Sequence, residues 1–151
     1  MSGISPKDIK TAIQACLATS LGANWTVIKY IGDLEQNVSK IGGSSRTYGV
    51  RALGGVQIDR TLKFLTIEQN FEIILVRNKL NTQLGDSDLE SLVQENQRDV
   101  ICCYKEIANT RLGISYVIMI DDLVFSDPEF IEDGKTVVQR ANFNVTYRCV
   151  V

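Results

Sequence analysis

The sequence predicts an α+β domain: an antiparallel or mixed β-sheet with two α-helices packed on one face. Three observations predict it. From Val137 to Val151 apolar and polar residues alternate with a period of two, the pattern of a long strand buried on one side. Two other stretches, Ile9–Leu21 and Leu89–Ile107, place apolar residues three and four apart, as helices with one buried stripe do. The length of 151 residues, with 44% hydrophobic and 23% charged, suits one domain with a single core, residues 1–151.

The first helix opens at Ser5-Pro6-Lys7-Asp8: Ser5 can cap, Pro6 suits the first turn, and Asp8 sits three residues after the cap. Ile9, Ile13, Cys16/Leu17 and Leu21 then form the stripe, and Gly22 closes it. Trp25–Ile31 is rich in β-formers and apolar on both faces, which predicts a strand inside the sheet. Gly32–Arg60 holds Gly42-Gly43-Ser44-Ser45 and Gly54-Gly55, and reads as an irregular interaction arm at about 32–60 with a short strand-like run Tyr48–Leu53. Leu62–Arg77 is a long strand with an expected bend near Gln69-Asn70, since Leu62 and Phe64 fall out of phase with Phe71, Ile73 and Leu75.

Asp86–Thr110 is the strongest helix, with the stripe Leu89, Leu92/Val93, Val100, Cys103/Tyr104 and Ile107. Asn96 and Gln97 interrupt that stripe and point to a partner or a polar pocket at one end. Ser115–Phe125, apolar on both faces, is expected to be a central strand. Ser126–Lys135, with Pro128 and Asp133-Gly134, reads as an acidic hairpin. In the last strand Val137, Ala141, Phe143, Val145, Tyr147 and Cys149 take the buried face, and Arg140, Asn142, Asn144, Thr146 and Arg148 a polar face that meets water or lines an assembly.

Composition excludes several chemistries. Histidine is absent, which removes Ser-His-Asp and Cys-His catalysis and most catalytic zinc sites. Cys16, Cys102, Cys103 and Cys149 show no C-x-x-C spacing and read as reduced, largely buried thiols, with Cys102 the most reactive. Asp121 and Asp122 are neighbours on a strand and face opposite ways, so they do not form one metal site. No phosphate-binding glycine motif occurs. Catalytic residues, cofactor and metal are therefore all expected to be absent, as is an export signal; no apolar run approaches the ~20 residues that span a bilayer.

The net charge is −2, unevenly spread. Residues 1–80 carry 10 Lys/Arg against 6 Asp/Glu, and residues 81–151 carry 6 against 12. A solvated acidic face gives such a pattern; it also suits head-to-tail contacts between copies. On this basis the candidate interface residues are Lys40, Arg46, Arg51, Arg60, Asp127, Glu129, Glu132, Asp133, Arg140 and Arg148.

The helix Ser5–Leu21, the strand Phe71–Arg77, the helix Asp88–Thr110, and the ending from Leu123-Val124-Phe125 through the acidic hairpin to Phe143-Asn144-Val145-Thr146-Tyr147-Arg148 together resemble the tail-terminator and related neck proteins of long-tailed bacteriophages. The resemblance implies a structural virion protein of the tail or neck, made in the host cytoplasm. It also implies a ring, hexameric in that family, that caps the tail tube and meets the head-completion or connector protein. DNA would pass through the channel without sequence-specific binding, and no membrane is involved. The alternatives are another neck ring, such as a head-completion (stopper) protein, and a small cytosolic α+β enzyme or ligand-binding protein.

Overall fold

A computed structural model describes residues 4–28, 46–78, 86–131 and 136–150. Helix α1 (Pro6–Leu21) starts at the capping box read from the sequence. The Asp8 amide donates to Ser5 Oγ at 3.3 Å and the Ser5 amide to Asp8 Oδ2 at 2.9 Å, so two otherwise orphaned donors are satisfied reciprocally. The Ser5 amide, and then its hydroxyl, hold the Asp8 carboxyl below its ordinary 3.8. Gly22 ends the helix at φ 90°, where a side chain would be strained.

The remaining elements are β1 (Thr26–Val27), β2 (Arg46–Arg60), β3 (Phe64–Asn78), α2 (Asp86–Thr110), a single turn at Arg111–Gly113, β4 (Val117–Phe125), β5 (Glu129–Ile131) and β6 (Thr136–Val150). The strands form one mixed sheet in the order β1-β2-β3-β6-β4, with β5 also paired to β6. β1 runs parallel to β2, and the other pairs are antiparallel. Ile9, Ile13 and Leu17 of α1 and Val100, Cys103 and Ile107 of α2 meet Phe71, Ile73 and Leu75 of β3 and Phe143, Val145 and Tyr147 of β6 in one core. Both helices thus cover one face of the sheet, and the fold is α+β. Each of these large side chains contributes about 1.5–3 kcal/mol by leaving water.

Four expectations are corrected by the structure. Residues 46–60, read as part of an irregular arm, form β2, a strand as long as its partner β3; residues 29–45 lie outside the described residues. Strand β3 itself carries no bulge against β6, pairing with it without a register shift from Phe64 to Asn78. The irregularities sit in β2, between Ala52 and Gly55 and between Gln57 and Asp59. There Gln69 Nε2 donates to the Leu53 carbonyl at 3.0 Å, and a Cβ on Gly55 would come within 3.2 Å of the Gln69 side chain, so glycine lets the bulge lie flat on β3.

The other two corrections concern position. Thr26–Val27 lies at one margin of the sheet and Val117–Phe125 at the other, whereas the sequence placed both inside. Apolar residues on both faces usually signal a covered strand; here the outward ones, Met119 and Val124, are exposed. The interior position falls instead to β6, flanked by β3 on one side and by β4 and β5 in succession on the other. Its second face is correspondingly drier than expected: Thr136, Val138 and Thr146 are buried and only Arg148 is exposed.

Tyr147 of β6 is buried and its hydroxyl donates to Gln69 Oε1 at 2.6 Å. Burial pushes the Tyr147 hydroxyl from 10.0 up to about 12, and the Cys103 thiol from 9.0 up to about 12. Both groups are therefore neutral in the folded chain over a range where the unfolded chain ionises them. Their contribution to stability is complete below pH 9 and is lost as pH rises from 9 through 12. Urea midpoints measured across that interval are expected to fall, and Tyr147→Phe with Cys103→Ala is expected to flatten the fall.

Candidate functional site

The sheet face away from the helices carries most of the candidate interface residues that are described, and the strand registers place them in rows. Glu72 of β3 lies opposite Arg51 of β2 and Asn142 of β6, one rung from Arg140. Arg51 Nη2 reaches Glu72 Oε1 at 2.8 Å, Arg140 Nη1 reaches the same oxygen at 3.3 Å, and Arg140 Nε reaches Glu129 Oε1 at 3.0 Å. One chain of charge thus crosses β2, β3, β6 and β5. A second row joins Asn70 Nδ2 to Asn144 Oδ1 at 2.9 Å, and Asn144 Nδ2 to Asp122 Oδ2 at 3.2 Å and Glu68 Oε1 at 3.4 Å. Asp122 reaches its partner from a positive φ of 61°, within the register shift between Asp121 and Val124.

Arg51, Glu129 and Arg140 are therefore brought together, with each other's charges as neighbours. Arg148 is exposed on the same face, beyond the second row. Arg60 stands at the free end of the β2–β3 hairpin, and Asp127 is exposed in the link between β4 and β5. Arg46 begins β2 at the opposite end, in register with Arg77. Lys40, Glu132 and Asp133 lie outside the described residues. Sequence reasoning missed Glu72, the carboxylate shared by both arginines; its signal was a lone acid inside the apolar run Phe71–Val76.

A second polar cluster answers the interruption at Asn96 and Gln97. Arg77, buried at the end of β3, donates from Nε to Asn96 Oδ1 at 2.6 Å and from Nη1 to Glu95 Oε2 at 3.1 Å, and its Nη2 pairs with Asp99. Its guanidinium lies 4.9 Å above the Trp25 ring, a cation–π contact. Burial pulls the guanidinium below its ordinary value, and Asp99 and Glu95 oppose that shift. Gln139, also buried, accepts from Gln97 Nε2 at 3.4 Å and donates to the Ser126 carbonyl at 2.7 Å. The polar residues of α2 thus tie the helix to the sheet.

On the outer surface an open groove of about 630 Å³ runs between α1 and the end of α2, lined by Ala12, Ala15, Cys16, Cys102, Glu106 and Leu112. All four cysteines are free. Cys103 is buried and Cys102 exposed; Cys16 and Cys149 are only half-buried, less covered than expected, and burial still raises both thiols. Cys149 Sγ also donates to the Ile4 carbonyl at 3.0 Å. A thiol reagent is expected to modify Cys102 first and Cys103 last in the native chain, read by peptide mass spectrometry; early labelling of Cys103 would contradict this packing.

Among the described residues, no three His, Cys, Asp or Glu side chains gather in a way that could hold a metal ion, and no helix is long and apolar enough to cross a membrane. No protein-family model matches the chain, and no curated protein sequence does.

Proposed function

We propose that this chain is a structural subunit of the phage tail-terminator or neck class. Copies close into a ring, a hexamer as in that family, which caps the tail tube and meets a head-completion or connector protein. It acts as part of the virion, without catalysis, and DNA passes through its channel. The observation that carries this reading is the self-paired polar face of the sheet. Arg51, Glu72, Arg140 and Glu129 neutralise one another in a chain, and the asparagines of the second row bond to each other and to acids. Each free cation facing DNA adds a phosphate contact and a counterion to release, so a wall that DNA slides along works best with its bases already paired. The row of Arg51, Glu72, Arg140 and Glu129 supplies an internally neutralised stretch of such a wall.

The groove between the helices favours a second reading, a small ligand-binding protein or enzyme, since its volume falls within the range of small-molecule sites. Electron micrographs of the purified full-length protein separate the two. Rings of uniform diameter with a central opening are expected; isolated particles of monomer size at every concentration would contradict the ring and leave the groove reading.

A further inference from the structure

The two margins of the sheet differ in chemistry in a way the fold alone does not require. At the free end of the β2–β3 hairpin, Val56, Ile58 and Leu62 are 65%, 53% and 100% exposed. Arg60 and Lys63 stand exposed among them, with no ion-pair partner among the described residues. At the opposite margin, β4 and β5 present Met119, Val124 and Phe130, which are 49%, 60% and 51% exposed. Half-buried Asp121 and exposed Asp127 lie between these residues in the chain. With Asp59 also exposed on the hairpin, the first patch is edged by two bases against one acid, and the second by acids.

We propose that the hairpin end of one copy docks on the β4–β5 margin of the next; this rests on the ring reading above. The patches are complementary in both respects that matter at an interface. Apolar side chains leave water on each side, and charges of opposite sign set the register. A single molecule does not satisfy them itself, because β3 and β6 stand between β2 and β4. Three strand spacings of about 4.8 Å hold the two margins about 14 Å apart. Two different patches meeting head to tail make a heterologous contact, the kind that closes into a ring when the rotation allows.

The contact is made through side chains, not by continuing the sheet. Both margins carry register shifts: Ala52/Gly55 and Gln57/Asp59 on β2, Val117/Met119 and Asp121/Val124 on β4. Irregularities of this kind blunt an edge against strand addition. Leu62, in the turn and wholly in water, is the projecting knob, and Val124, the most exposed apolar residue described on β4 and β5, belongs to the surface that receives it.

The test uses the full-length chain in three forms: unaltered, Leu62→Glu and Val124→Glu. Both substitutions are at exposed positions, and circular dichroism checks that each variant keeps the parent's fold. Light scattering after size exclusion then gives mass against concentration. The unaltered chain is expected to assemble, and each variant is expected to need at least about tenfold higher concentration to do so. A one-to-one mixture of the variants retains one sound hairpin end and one sound margin per pair, so it is expected to yield dimers and nothing larger. Assembly of both variants like the parent would overturn the docking and leave the ring reading standing. Weakened variants whose mixture gives no dimer would overturn the head-to-tail pairing. An unaltered chain that stays monomeric at every concentration would overturn the ring reading and the docking together.

Discussion

Replacing Phe143 by alanine is expected to cost about 3–5 kcal/mol, because it empties the centre of the core. Phe143 is buried on β6, lies opposite Phe71 across the β3 ladder, and meets the Tyr104 ring edge-on at 5.7 Å. It is thus the point where α2, β3 and β6 converge, and the rings around it belong to elements that cannot all move inward to fill the space. For a chain of this size the loss lowers the thermal midpoint by about 10 °C. Arg148→Ala, on the exposed side of the same strand, is expected to change stability by no more than about 0.5 kcal/mol, since its backbone amide keeps its bond to the Tyr116 carbonyl at 3.0 Å. Calorimetry of the two variants decides the matter; equal midpoints, or a lower one for Arg148→Ala, would contradict the assignment of faces.

Arg77→Ala is expected to be comparably severe, at about 3–5 kcal/mol, for a different reason. The Phe143 change removes favourable burial. The Arg77 change leaves behind polar groups that the fold has already taken out of water: the Asn96 amide and the half-buried Asp99 carboxylate, each now without its main partner. Arg77→Lys is expected to fall between the two, because an ammonium cannot reproduce the forked contacts to Asn96, Glu95 and Asp99. Trp25 is the only tryptophan and lies under the guanidinium, so urea titrations followed by its fluorescence report the cluster directly. A change in Trp25 emission without loss of stability would show that the cluster only decorates the interface between helix and sheet.

The sequence was most readable where local chemistry and burial agree. The capping box at Ser5 and Asp8, the bounds of α2 and the alternation along β6 all rest on patterns that one element writes into its own residues. β2 was hidden for the opposite reason. Gly49, Gly54 and Gly55 weaken any intrinsic strand signal; the strand exists because β3 supplies a continuous ladder and Gln69 anchors the bulge. The positions of β1 and β4 were misjudged because their outward apolar residues look the same in sequence whether a neighbouring strand or water covers them.

For the candidate interface the signal was divided. Charge alone singled out Arg51, Glu129 and Arg140, and the registers then joined them through Glu72 into an internal chain. The exposed apolar residues at the margins left no such trace. Val56, Ile58, Met119 and Val124 each sit in a strand, where an apolar residue is ordinary, and only the sheet order makes them outward-facing.

The central claim is that copies of this chain meet at the two margins of its sheet, and amide hydrogen exchange tests it most directly. Comparing dilute and concentrated full-length protein, the account predicts that protection rises together in Gly55–Phe64 and in Val117–Ile131, with α1 unchanged. Protection that rises instead along α1 and the end of α2, or in neither margin, would contradict it.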